Sequence, residues 1–109
     1  MPRKTLGMTT VQVLHAVALG TRYGFDIMEA TGLPSGTVYP ALSRLERGGL
    51  LRAKWEAQEV ARREKRPPRK YYQITGDGKV RLLEATRRIR ELERSLPRDA
   101  AALESPAEG

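Results

Sequence analysis

Apolar residues recur along the first third of the chain at helical spacing. Leu6, Met8, Val11, Leu14, Val17 and Ala18 form the first run, and from Val11 onward the steps of three, three and one suit one helix face. Thr9 or Thr10 is placed to cap its start, and Gly20 to supply the left-handed residue after its end. A second short helix is predicted from Tyr23 to Thr31, with Phe25, Ile27 and Met28 apolar and Gly32 as its stop. Leu33-Pro34-Ser35-Gly36-Thr37 reads as a punctuated loop in which Ser35 caps a third helix. Val38, Leu42 and Leu45 then share a face at steps of four and three, Pro40 falls in the first turns, and Gly48-Gly49 ends the run. Three helices in under fifty residues, joined by short glycine-bearing turns, predict a helix-turn-helix unit.

Beyond Gly49 the pattern changes. Leu50, Leu51, Ala53 and Trp55 suit a strand, and Lys70-Tyr71-Tyr72-Gln73-Ile74 suits its partner. Between them, Gln58 to Arg69 is polar, charged and broken by Pro67-Pro68. Two strands around a charged loop, directly after a helix-turn-helix, make a wing. Thr75-Gly76-Asp77 opens a long helix whose Leu82, Ala85, Ile89, Leu92 and Leu96 step by three, four, three and four, the a/d seam of a coiled coil over about two heptads. From Asp77 to Leu96 it would run roughly 30 Å, oversized for so small a core, and Pro97 ends it. The organisation expected is a DNA-binding-type unit over residues 1–75 with its wing at about 50–74, a dimerisation helix over 76–97 and a frayed tail over 98–109. The expected fold class is mostly α with a small two-stranded β-wing.

Composition narrows the chemistry. With 109 residues there is one small domain, marginal enough that dimerisation would help. The absence of cysteine excludes disulfides, thiolate catalysis and thiolate-bound zinc. A single histidine, His15, sits mid-helix among apolar neighbours and suits packing at a dimer interface better than catalysis. With no nucleophile–base set, no glycine-rich phosphate loop and no metal cluster, neither an enzyme nor a cofactor is expected. No signal peptide or membrane-length apolar run is read, so a soluble cytoplasmic protein with no membrane partner is the expectation.

The net charge of +7 is unevenly placed. Residues 34–75 hold ten basic and four acidic side chains, whereas residues 76–109 hold seven of each. Arg62, Arg63, Lys65, Arg66, Arg69 and Lys70 put six cations within nine residues, opposed only by Glu64. On a helix-turn-helix such a cluster suits DNA phosphates, and the flanking Arg52 and Lys54 extend it. A solvated charged loop is the other reading of the same run. On the third helix, Ser35, Gly36, Thr37, Tyr39, Ser43 and Arg44 are the candidate contacts, with hydroxyls and an arginine suited to phosphates and base edges. Against this, Ser35 is also a plain cap and Tyr39 also a core residue. Trp55 is expected to pack the wing against the core, with a role in effector binding as the lesser reading.

Tyr23-Gly24-Phe25-Asp26-Ile27 resembles the second-helix signature of PadR-type bacterial regulators. Pro34 to Leu42 followed by Arg44-Leu45-Glu46 resembles the family's recognition helix, and Gly49-Leu50-Leu51 its exit. Arg66 to Thr75 is similar to the wing's return strand, and Gly78 fits the start of the last helix. The resemblance implies a winged helix-turn-helix with a long C-terminal dimerisation helix, in a homodimer held by the first and last helices. Leu14, Leu82, Ala85, Ile89, Leu92 and Leu96 are the interface residues expected; packing of the Leu82–Leu96 seam on the chain's own first helix is the other reading, and a long helix crossing a dimer axis can do both. It also implies sequence-specific binding to palindromic operator DNA, usually as a repressor released by a small-molecule effector. A winged helix serving only as a protein-interaction or RNA-binding module is the alternative. Two features depart from the family. The wing from Glu59 to Arg66 has no glycine where a glycine-rich tip is usual, which leaves a helical segment open there. The last helix has no aromatic residue, so it does not offer the tryptophan sandwich with which some short members hold flat drugs.

Overall fold

The computed structural model describes residues 5–97; the tail expected over 98–109 lies outside the described residues. The elements run α1 (Met8–Ala18), α2 (Gly24–Thr31), α3 (Ser35–Arg47), β1 (Leu51–Trp55), α4 (Gln58–Arg63), β2 (Lys70–Ile74) and α5 (Gly76–Ser95). The architecture is mostly helical with one two-stranded antiparallel sheet and a long last helix.

The periodic residues do what their spacing requires. Val38, Leu42 and Leu45 of α3 meet Val13, Leu14 and Val17 of α1 and Ile27 of α2 in one buried cluster, joined by Leu50, Leu51 and Tyr72. Gly20 and Gly32 take positive φ of 102° and 73° after the first two helices, a conformation that costs a residue with a Cβ. Two expected caps are corrected. Gly7, not Thr9 or Thr10, is the N-cap of α1, and Thr10 is buried. Pro34, not Ser35, is the N-cap of α3; its carbonyl accepts from the Thr37 and Val38 amides, and Ser35 becomes the first helical residue. Pro40 therefore lies in the second turn, where it offers no N–H to the Gly36 carbonyl.

In the sheet, Leu51 pairs with Ile74 and Trp55 with Lys70. Tyr23 bridges to Tyr71, and the Tyr72 amide donates to the Arg22 carbonyl at 2.7 Å, so the chain entering α2 is tied to β2. Trp55 is a correction: it is 63% exposed and does not pack on the core. It shares a strand face with buried Leu51 and half-buried Ala53, but the hairpin grows away from the helical body, so burial fades along that face.

Thr75 anchors the last helix on both sides. Its hydroxyl accepts from the Gly78 amide at 3.0 Å and donates to the Gly49 carbonyl at 2.7 Å. Such a cap contributes about 1 kcal/mol. Gly78 is confined: a Cβ there would strike the Leu50 carbonyl and lie 2.7 Å from Ile74 Cγ1.

Along the α5 seam, Leu82 packs on the core cluster and Ala85 is buried, Ile89 is half-buried, and Leu92 and Leu96 are each 54% exposed. Leu14, expected at a dimer interface, is wholly buried in the chain's own core. Ala85 is likewise buried within the chain, on the first half of α5, which lies against α1. A groove of about 300 Å³ opens between α1 and α5, lined by Met8, Val11, His15, Leu82 and Ile89 among others. His15 itself is exposed. Among the described residues, no helix is long and apolar enough to cross a membrane.

Candidate nucleic-acid interface

The side of α3 away from its buried Val38, Ala41, Leu42 and Leu45 is polar. Ser35, Gly36, Tyr39, Ser43 and Arg47 are all exposed on it, at steps that keep them on one face, while Thr37 is half-buried. Arg47 was not anticipated from the sequence, although its step of four from Ser43 is the signal that finds it. Arg44 sits beside this face and is engaged sideways: its guanidinium donates to the buried Thr10 hydroxyl of α1 at 3.2 Å.

Tyr39 combines two roles. Half of it is exposed, yet its ring lies against the start of α2, where a Cβ on Gly24 would come within 2.5 Å of it. This is why glycine stands between Tyr23 and Phe25. Tyr23, Phe25, Tyr39, Trp55 and Tyr72 line a groove of about 500 Å³ together with the wing base from Arg66 to Lys70. The start of α2, Tyr39 of α3 and the base of the wing thus open onto one concavity.

The six clustered cations divide into two sets. At the tip, α4 replaces the usual glycine-rich turn and carries Arg62 and Arg63 in its last turn, where cations complement the helix dipole. Arg62, Arg63 and Lys65 are exposed, and among the described residues no ion pair engages them. At the base, each cation has a partner. Arg66 makes a bidentate pair with Glu56 at 2.6 and 2.9 Å. The Arg69 guanidinium lies 4.1 Å from the Tyr23 ring centroid, and Lys70 donates to Glu46 at 3.0 Å. The Arg66 guanidinium, with the Tyr71 hydroxyl and the Arg69 amide, lowers the Glu56 carboxyl to about 2. The Glu46 carboxylate raises the Lys70 ammonium above its ordinary value. Glu56 was not anticipated from the sequence, because its pairing with Arg66 depends on where α4 ends. Arg52 and Lys54 are exposed on β1.

Three packed helices whose third presents a polar face, followed by a two-stranded wing with a cationic tip, define a winged helix-turn-helix DNA-binding protein. The sequence model of the transcriptional regulator PadR-like family matches residues 13–84. A PadR-like transcription factor from Bacteroides fragilis is 30% identical, with a TM-score of 0.68 over 82% of this chain and 86% of that one. A PadR family transcription regulator from Clostridium difficile R20291 is 24% identical, with a TM-score of 0.70 over 81% of this chain and 93% of the other. The PcaV transcriptional regulator from Streptomyces coelicolor, solved in complex with its natural ligand, shares the fold at 22% identity, with a TM-score of 0.72 over 94% of this chain and 72% of that one. No curated protein matches the chain in sequence. The chain belongs to the PadR-like family of transcriptional regulators, as a DNA-binding regulator.

Proposed function

We propose that this regulator is a homodimeric cytoplasmic repressor of palindromic operator DNA, with α3 reading base edges and the wing tip gripping phosphates. The observation that carries the reading is the shared groove, onto which the exposed Tyr39 of α3 and the wing base both open. In this arrangement Ser35, Gly36, Tyr39, Ser43 and Arg47 face the major groove, and Arg62, Arg63 and Lys65 supply the salt-dependent part of the affinity. Thr37 contributes from the edge of the same face. Arg44, Arg66, Arg69 and Lys70 brace the interface through their partners within the chain.

The exposed Leu92 and Leu96 on α5, the helix whose Ile89 lines the groove against α1, support a second copy of the chain docking there. A small-molecule effector that releases the DNA belongs to this reading, supported by the ligand-bound state in which the Streptomyces coelicolor regulator was solved.

Hydroxyl-radical footprinting on the DNA upstream of the protein's own reading frame tests it. The expected result is two protected segments related by a dyad, with centres about 34 Å apart, one turn of duplex. Protection spread evenly along the fragment contradicts operator binding at that locus and favours a module without operator specificity.

A further inference from the structure

The segment joining β1 to β2 is long for a hairpin connection, has no glycine from Glu59 to Arg66, and ends in Pro67-Pro68, which donate no amide hydrogen bond. Its helix α4 is six residues long, far too short to hold itself together. Buried Ala61 gives it one small apolar anchor. The larger anchor is the Glu56 carboxylate, whose side chain is only 8% exposed. Its Oε1 accepts from Arg66 Nη1 and, at 3.3 Å, from the Arg69 amide; its Oε2 accepts from Arg66 Nη2 and, at 3.1 Å, from the Tyr71 hydroxyl. The Glu56 amide donates in turn to the Arg69 carbonyl at 2.8 Å.

These bonds close the connection at its neck. Lys65, just after α4, is held at φ 56°, a position where glycine is usual, and Arg66 turns back so that its amide donates to the Ala61 carbonyl at 3.1 Å. A bidentate arginine–carboxylate pair fixes orientation as well as distance. The result is a short helix aimed outward with its free cations at its end.

We propose that Glu56 is the positioning residue of the wing: by holding Arg66, the Arg69 amide and the Tyr71 hydroxyl, it fixes α4 so that Arg62, Arg63 and Lys65 are presented together to DNA phosphates. The inference rests on the phosphate-binding role given to the wing tip above. It makes an acidic residue necessary for binding a polyanion, so its sign opposes simple electrostatics. Removing the Glu56 charge makes the protein more positive and by charge alone tightens DNA binding. Removing the brace instead leaves the tip to be ordered at the moment of binding, which weakens it.

The test uses Glu56→Gln and Arg66→Gln in the full chain, with amide hydrogen exchange over residues 59–66 and duplex titrations at several salt concentrations. The expected result for both variants is faster exchange confined to that segment and a loss of duplex affinity of roughly tenfold, the effect of re-ordering one or two long side chains. The salt slope stays that of the parent protein, because Arg66 touches no phosphate. Wild-type exchange together with equal or tighter DNA binding by Glu56→Gln overturns the proposal. A salt slope reduced by about 0.9 in Arg66→Gln also overturns it, since that is the signature of one lost phosphate contact. Arg62→Gln/Arg63→Gln, with both side chains exposed, separates this failure from failure of the underlying reading. If that pair binds DNA like the parent, the wing does not grip phosphates and both fall. If it binds weakly while the Glu56 variant is unaffected, only the positioning role falls.

Discussion

Leu92→Asp and Ile89→Asp are each expected to yield a monomer that binds duplex DNA at least about 10²-fold more weakly. Leu92 is more than half exposed on the described chain, as is Leu96, and Ile89 on the same helix lines the groove against α1. In a symmetric pairing each substitution enters the interface twice. A carboxylate buried there without a cationic partner costs several kcal/mol, more than a modest interface supplies. DNA binding falls with the dimer because a single half-site forfeits the contacts of the second recognition helix. Leu92→Asp is the cleaner variant, since its exposure leaves the chain's own core untouched. Sedimentation at micromolar concentration reads the outcome. A full-strength dimer in both variants would move the interface elsewhere, with Val80 and Leu83 the next exposed apolar pair on α5.

The second large effect is expected at the wing tip. Arg62→Glu/Arg63→Glu removes two exposed cations and adds two anions at the end of α4. If each arginine neutralises one phosphate, the salt slope falls by about 1.8, and affinity at moderate salt drops on the order of 10²- to 10³-fold. Neither side chain has an ion-pair partner among the described residues, so the melting temperature is expected to stay near that of the parent. Unchanged duplex affinity would remove the wing from the DNA interface. Arg66→Glu is expected to behave differently: it sets a second carboxylate against the nearly buried Glu56 and disorders the wing.

That contrast shows how far the sequence can be read. The six cations between Arg62 and Lys70 form one group by spacing, yet the fold splits them into three that face solvent and three that are partnered. Glu56, Tyr23 and Glu46 do the splitting, and they stand far away in sequence. Periodicity identified Val38, Leu42 and Leu45 as a common face, and strand-favouring residues identified β2, because both signals are local. What covers a face is not local. Trp55 has the parity of a core residue and is exposed because the hairpin outruns the helical body. Leu14 and Ala85 belong to seams that suit a partner but are covered by the chain's own helices. The absence of glycine in the wing left a helix open there, and α4 fills it; its orientation depends on the Glu56 pairing, which no spacing announces. The cap of α3 shifted by one residue for a simpler reason, since Pro34 already holds the extended backbone that an N-cap requires.

The central claim, that this chain reads DNA sequence as a dimer, is tested most directly by fluorescence anisotropy at near-physiological salt. The probe is the duplex from upstream of its own reading frame, and a random duplex of equal length is the competitor. Preferential binding at two protomers per duplex, persisting in the presence of the competitor, is the expected result. Equal affinity for both duplexes, lost as salt rises, would reduce the interface to a basic surface and contradict operator recognition at that site.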